Sequence, residues 1–255
     1  MPFLLYLFLV TGVVVAASPS TDQVALGNAE LERGNTDAAI TALERATALD
    51  PANSEAQRCL GDAYGTLAQK SGLFTGLRLA KKVRAAYEQA VVLDPHSLAA
   101  RLSLFDFCLM APSLLGGGTD KAVAQADVIA QLDADQGHLA RSRLRAAEKN
   151  YPEARRELAA LLAVSPDNYA ALYQLGRVAA ITGDEVDTGL QALQKCVTLP
   201  ATTGAPGHDA AQWRLGLLLE KKGNLAAARA AYQASLKLNP TMAEAAESLK
   251  RLDHG

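Results

Sequence analysis

The sequence predicts an all-α protein built as a stack of helical repeats, and three observations predict it. A small residue precedes a proline by the same interval three times: Gly27 and Pro51, Gly176 and Pro200, and Gly216 and Pro240 are each 24 residues apart. Prolines at 95 and 166, with Ala134 in the same role, divide the rest of the chain into segments of similar size. Nearly half the residues are apolar, led by Ala and Leu, while aromatics make up only 5%, which favours close-packed helices over sheets. Repeats of this size bury their apolar faces against neighbours. The 255 residues therefore read as one elongated array rather than one or two globular domains.

The clearest unit is Asp209 to Pro240, DAAQWRLGLLLEKKGNLAAARAAYQASLKLNP. Gly216 lacks the Cβ that would hold a second helix away from the first. Gly223 follows Lys221 and Lys222 and suits the left-handed conformation that ends a helix, with cations placed well for its dipole. Ala228 and Tyr232, four apart, share one helix face. Pro240 stops the second helix. This unit resembles the tetratricopeptide repeat, Trp-x2-Leu-Gly-x2-Tyr, then Ala-x3-Phe, then Pro over about 34 residues. Trp213 stands one place late for that signature, and Leu219 replaces its Tyr.

The pattern returns at Leu26-Gly27, Gly34, Ala39, Ala46 and Pro51, and at Leu60-Gly61, Tyr64, Tyr87, Ala90 and Pro95. It returns again at Leu175-Gly176, Gly183 and Pro200. Weaker units carry Ser142, Ala154 and Pro166, or end at Asp133-Ala134. The resemblance covers residues 20 to 253 and implies a right-handed α-solenoid of about six helix-turn-helix repeats.

Before the repeats, residues 2–17 form an apolar run ending in small residues, with Val15 and Ala17 suited to the −3 and −1 positions of a signal peptidase site. The run is short for a bilayer span, which needs about 20 residues. Residues 1–17 are read as a cleaved signal peptide, with an uncleaved anchor as the alternative, and residues 18–255 as the solenoid. A periplasmic or secreted location follows. No Asn-x-Ser/Thr sequon has a permitted middle residue, which leans towards a bacterial envelope.

Two repeats exceed the expected length between their helices. KSGLFTGLRLAKK separates a first helix ending near Gln69 from a second starting near Leu77, and APSLLGGGTDKA plays the same part in the third repeat. Turns of this kind lie along one edge of a solenoid, so Leu73, Phe74 and Leu77, with Met110, Leu114 and Leu115, are expected either to cover a core or to form an apolar docking edge. In the sixth unit, ATTGAPGHD precedes the first helix.

Little points to catalysis. Cys59, Cys108 and Cys196 are single and odd in number, and read as small buried hydrophobes. The four histidines are scattered without metal-ligand spacing and read as exposed turn or cap residues. Leu115 to Lys121 lacks the Gly-x4-Gly-Lys-Ser/Thr spacing of a phosphate loop and reads as a flexible turn, with Asp120 in the first turn of the next helix. Arg78, Lys81, Lys82 and Arg84 read as a solvated helix face, with anion binding as the alternative. The net charge of −2 argues against a nucleic-acid binder.

The family resemblance implies a binding module. It places the first helix of each repeat on the concave face and points the residues three before and one after the small position into the groove. Those residues are Val24/Asn28, Arg58/Asp62, Leu102/Asp106, Leu139/Arg143, Tyr173/Arg177 and Trp213/Leu217. The candidate groove contacts are Asn28, Arg58, Asp62, Asp106, Arg143, Tyr173, Arg177 and Trp213; the candidate edge is Leu73, Phe74, Leu77, Leu114 and Leu115. No enzyme activity, metal or cofactor is expected. The predicted function is a scaffold that binds a protein or peptide, with a self-assembling envelope subunit as the alternative.

Overall fold

The structure, a computed structural model, describes residues 18–202 and 204–254; the expected signal peptide lies outside them. Among the described residues are thirteen α-helices and no strand. Twelve alternate as first and second helices of six repeats. The pairs are α1 (Pro19–Glu32) with α2 (Thr36–Leu49), α3 (Ser54–Lys70) with α4 (Leu73–Leu93), and α5 (Leu98–Met110) with α6 (Thr119–Leu132). They continue with α7 (Ala134–Ala147) and α8 (Tyr151–Val164), α9 (Tyr169–Thr182) and α10 (Val186–Cys196), and α11 (His208–Lys221) and α12 (Leu225–Leu238). One further helix, α13 (Ala243–His254), follows. The fold class is the expected α-solenoid. The chain forms two compact units, one reaching Ala100 and the other starting at Arg101.

Both units are packed by the same device. In the first, a Cβ on Gly27 of α1 would press into Leu43 of α2, and one on Gly61 of α3 would lie well under 3.0 Å from the Tyr87 ring of α4. In the second, Gly176 of α9 meets Leu193 of α10 in the same way, and Gly216 of α11 meets Tyr232 of α12. Leu43, Leu193 and Tyr232 are fully buried. The large side chain of each second helix thus occupies the space a Cβ on the first would need. Ser142 takes the small position in α7, its hydroxyl donating to the Leu139 carbonyl at 2.8 Å. In α5 the position holds the fully buried Phe105 instead of a small residue, and α6 buries Ala122, Ala126 and Ile129.

The ends of the helices follow from side-chain chemistry. Asn53, Asp133, Asn150, Asn168 and Asn224 each cap a helix by accepting from the backbone N–H three residues on. Gly34, Gly183 and Gly223 end first helices at φ of 81°, 79° and 76°, which favours glycine. Second helices close on Asp50-Pro51, Asp94-Pro95 and Asn239-Pro240. There each side chain accepts from the N–H two residues on, at 3.0–3.2 Å, and the following proline stops the helix.

The second repeat departs from expectation. Its extra residues form helix, not loop: only Ser71 and Gly72 separate α3, of 17 residues, from α4, of 21. Most helices here have 14. Apart from Gly76, the stretch from Leu73 to Arg84 is made of residues a helix tolerates, and Gly76 N–H closes the first turn on the Gly72 carbonyl at 2.8 Å. Seven additional residues lengthen α4 by about 10 Å.

The third repeat keeps its loop, but the triple glycine is tied down rather than flexible. The N–H groups of Gly116, Gly117 and Gly118 donate to the carbonyls of Ser113, Pro112 and Cys108. A Cβ on Gly117 would collide with the Ala111 carbonyl, and Gly116 and Gly118 have φ of 91° and 122°. Asp120 lies in the first turn of α6 as expected. Before α11, the Tyr169 hydroxyl donates to the Pro206 carbonyl at 2.8 Å.

Replacing Gly216 by Leu should lower stability by at least about 1–3 kcal/mol, because Tyr232 has nowhere to go. Gly65→Ala in α3 is the control: its Cβ would meet only Val83 Cγ2 at 4.0 Å, so the change should be stabilising by about 0.4–1 kcal/mol. Thermal and urea unfolding of the two variants distinguishes these outcomes.

Candidate functional site

In the first unit the anticipated groove residues largely satisfy one another. Arg58 donates to Glu55 and to Asp62 at 2.5 and 2.6 Å. Asp62 also accepts from the Tyr87 hydroxyl at 2.6 Å, although burial raises its pKa overall. Asn28, on α1, is half-buried.

The second unit brings the remaining residues to its first helices. Arg143 of α7 pairs with Asp106 of α5 at 2.6 Å and lies 5.4 Å over the Phe105 ring. Tyr173 of α9 is almost wholly buried at 3% exposure, a platform rather than an open contact. Its hydroxyl accepts from Arg214 Nε at 2.8 Å. The Arg214 guanidinium lies 5.5 Å from the Tyr173 ring and 4.9 Å from that of Trp213. Trp213 donates its indole N–H to Ser248 of α13 at 3.2 Å.

Arg177 of α9 is the exception to this pairing. It is half-buried and donates to the Gln174 side-chain oxygen at 3.3 Å, and among the described residues no carboxylate pairs with it. Burial pushes its pKa below the ordinary arginine value, and the nearby cations Arg214 and, less strongly, Arg143 push the same way. Helices α7, α9 and α11, which carry the three arginines, pack in succession. Arg214 also lacks a carboxylate partner among the described residues. Each guanidinium has five N–H donors and spends one here on a neutral partner, so both retain the fork that grips a carboxylate at two points.

Arg214 escaped the sequence reading. It stands two before the small position Gly216, between the two registers assigned to the groove; its adjacency to Trp213 was the available signal.

At the expected edge, Leu73 is 72%, Phe74 87% and Leu114 93% exposed. They cover no core, which overturns the packing reading. Leu77 and Met110 are also exposed, while Leu115 is half-buried. The cysteines are buried and outside any disulfide, as read. Two histidines differ from the exposed turn or cap reading. His138 is half-buried within α7 and bonds Glu157 at 2.7 Å, and His208 bonds the Leu199 carbonyl at 2.8 Å. No cluster of His, Cys, Asp and Glu among the described residues could hold a metal, and no described helix is long and apolar enough to cross a membrane.

Comparison with known proteins agrees with this architecture. Family signatures described as TPR repeat and tetratricopeptide repeat match residues 27–67, 139–198 and 210–242, together just over half of the chain. The chain belongs to the tetratricopeptide repeat family, a non-enzymatic fold whose members generally mediate protein–protein interaction. No curated protein matches it over its sequence. Among solved structures it is similar to PilW, a widely conserved type IV pilus biogenesis factor, at 18% identity and a TM-score of 0.62, covering 92% of this chain and all of that one. PilF of Pseudomonas aeruginosa is similar at 15% identity and a TM-score of 0.60, over 90% of this chain and 96% of that one. A chain of the APC/C hetero-tetramer Cut9–Hcn1 gives 15% identity and a TM-score of 0.65, over 91% of this chain but only 42% of that one. At these identities the likeness is one of fold.

Two outcomes test the site's energetics. Arg177→Met keeps the apolar stem and removes a half-buried cation without a carboxylate partner, so its melting temperature should rise, whereas a fall would reveal a structural role for the charge. Phe74→Ala and Leu114→Ala should each change stability by no more than about 0.5 kcal/mol in denaturant titrations, since neither side chain is packed.

Proposed function

We propose that this chain is a non-catalytic interaction module that binds an acidic peptide or protein segment on the first helices of its second unit, at Arg177 and Arg214. The observation that supports this reading is Arg177 itself, a half-buried cation beside two others and without an acid of its own. Holding that cation partly out of water, beside two others, costs the folded protein. A ligand carboxylate relieves it, by neutralising the cluster and accepting the unused N–H groups. Asp106 leaves Arg143 only partly available, so Arg143 contributes field more than direct contact. Trp213 supplies apolar area beside the charge, a combination common at binding anchors.

Fluorescence anisotropy of a labelled glutamate-rich peptide tests the reading. The wild-type chain should bind it, more weakly at high salt, and Arg177→Met should weaken binding at least about tenfold while remaining folded. Equal affinity for wild type and variant would move the site elsewhere.

The same reading includes export to the periplasm or outside the cell. What supports it is the apolar run of residues 2–17 ending in VVVAA, immediately before Ser18 caps α1 by accepting from the Thr21 N–H. Mass spectrometry of the exported protein should find Ser18 as the amino terminus. An intact Met1 in a membrane fraction would support an anchor instead.

A further inference from the structure

The lengthened second repeat carries an exposed apolar tip with cations behind it. The α3–α4 hairpin turns at Ser71-Gly72, and the first two residues of α4, Leu73 and Phe74, are 72% and 87% exposed. Leu77 and Lys81 follow Leu73 at four-residue steps on the same face of α4 and are exposed; Arg78 and Lys82, also exposed, stand beside them on the side that faces α2. Between Ala63 and Tyr87 the sequence has five cations, Lys70, Arg78, Lys81, Lys82 and Arg84, and no acid. The charged groups that answer them from packed neighbours are few. Asp37 and Glu44 of α2 share with Arg78 and Lys82 the lining of a cavity of about 510 Å³, where Glu44 already accepts from the Tyr64 hydroxyl at 2.6 Å. Lys82 lies 4.6 Å over the Tyr64 ring, Lys70 donates to the Thr36 hydroxyl, and Arg84 pairs with Glu88 at 3.6 Å. Lys81 has no carboxylate partner among the described residues.

We infer that this hairpin tip docks on the surface of an anionic lipid bilayer, with Leu73 and Phe74 entering the headgroup boundary, Lys81 facing the headgroups, and Arg78 and Lys82 adding positive field from the α2 side. The cations sit one to two turns behind the apolar residues, the order that a surface with a negative headgroup layer over a hydrocarbon interior requires. A second copy of the same tip is a poor occupant, because it would bring like charges together. This surface belongs to the first unit and is independent of the arginine site in the second.

The test reads the tip directly, so that the apolar residues 2–17 cannot mimic the result. Cys59, Cys108 and Cys196 are buried, and burial pushes the thiols of Cys59 and Cys196 up to about 12 and about 11, so a cysteine placed at Phe74→Cys is the site that labels. With an environment-sensitive dye there, the full-length chain should show a blue shift on adding vesicles containing phosphatidylserine, and none with phosphatidylcholine alone. Lys81→Glu and Lys82→Glu should each reduce that partitioning by about fivefold or more. Three results overturn the inference: a dye that stays in water while the chain floats with vesicles, an equal response to both lipids, or a blue shift that grows with protein concentration and needs no lipid.

Discussion

The contact on which the structure depends is the seating of a large side chain of one helix against a missing Cβ on its partner. Gly27 with Leu43, Gly61 with Tyr87, Gly176 with Leu193 and Gly216 with Tyr232 repeat that contact in both units. It fixes how closely the two helices of a repeat approach and therefore which residues of the first helix remain free of the second. Tyr87 and Tyr232 do more than fill space: their hydroxyls donate to Asp62 and Glu220 of the first helices at 2.6 and 2.7 Å. Packing and polarity are thereby coupled within one repeat. After α12, α13 joins the same system, through Arg251 to Glu220 and Arg229 to Asp253.

The two proposed surfaces arise where this regular scheme leaves something over. On the first helices of the second unit, three arginines face one pairing acid, Asp106, and the least compensated of them, Arg177, is also half-buried. In the first unit the same helix positions are closed by Glu55, Arg58 and Asp62 among themselves. The asymmetry is one of partner supply rather than of fold, because both units use the same helix pair. The hairpin tip is surplus of another kind: residues added to α3 and α4 extend a repeat beyond what its neighbour needs, so Phe74 has nothing to pack on.

Much of the architecture was legible because it rests on residues with few alternatives. Glycine at the close approach, glycine at a positive φ and proline after a helix all have specific steric causes, and their spacing carries the repeat length. The helix-forming character of LFTGLRLAKKVR was equally present in the sequence, yet its excess over the repeat length suggested a loop; helix length follows from propensity and packing together, and the repeat count constrains only the second. Composition alone makes the triple glycine look flexible, because it does not reveal that each N–H has a carbonyl within reach. Candidate groove residues were legible by register alone. Register cannot report that Tyr173 lies under Arg214, that Asp106 closes on Arg143, or that Arg177 has no acid, since these depend on contacts between repeats.

The central claim is that the free arginines of α9 and α11 are a docking site rather than a tolerated defect. Hydrogen–deuterium exchange of the folded chain with and without a glutamate-rich peptide addresses it by location. Slower exchange confined to residues 169–182 and 208–221, absent with the corresponding glutamine-rich peptide, is the predicted result. Protection elsewhere, or the same protection by both peptides, would contradict it.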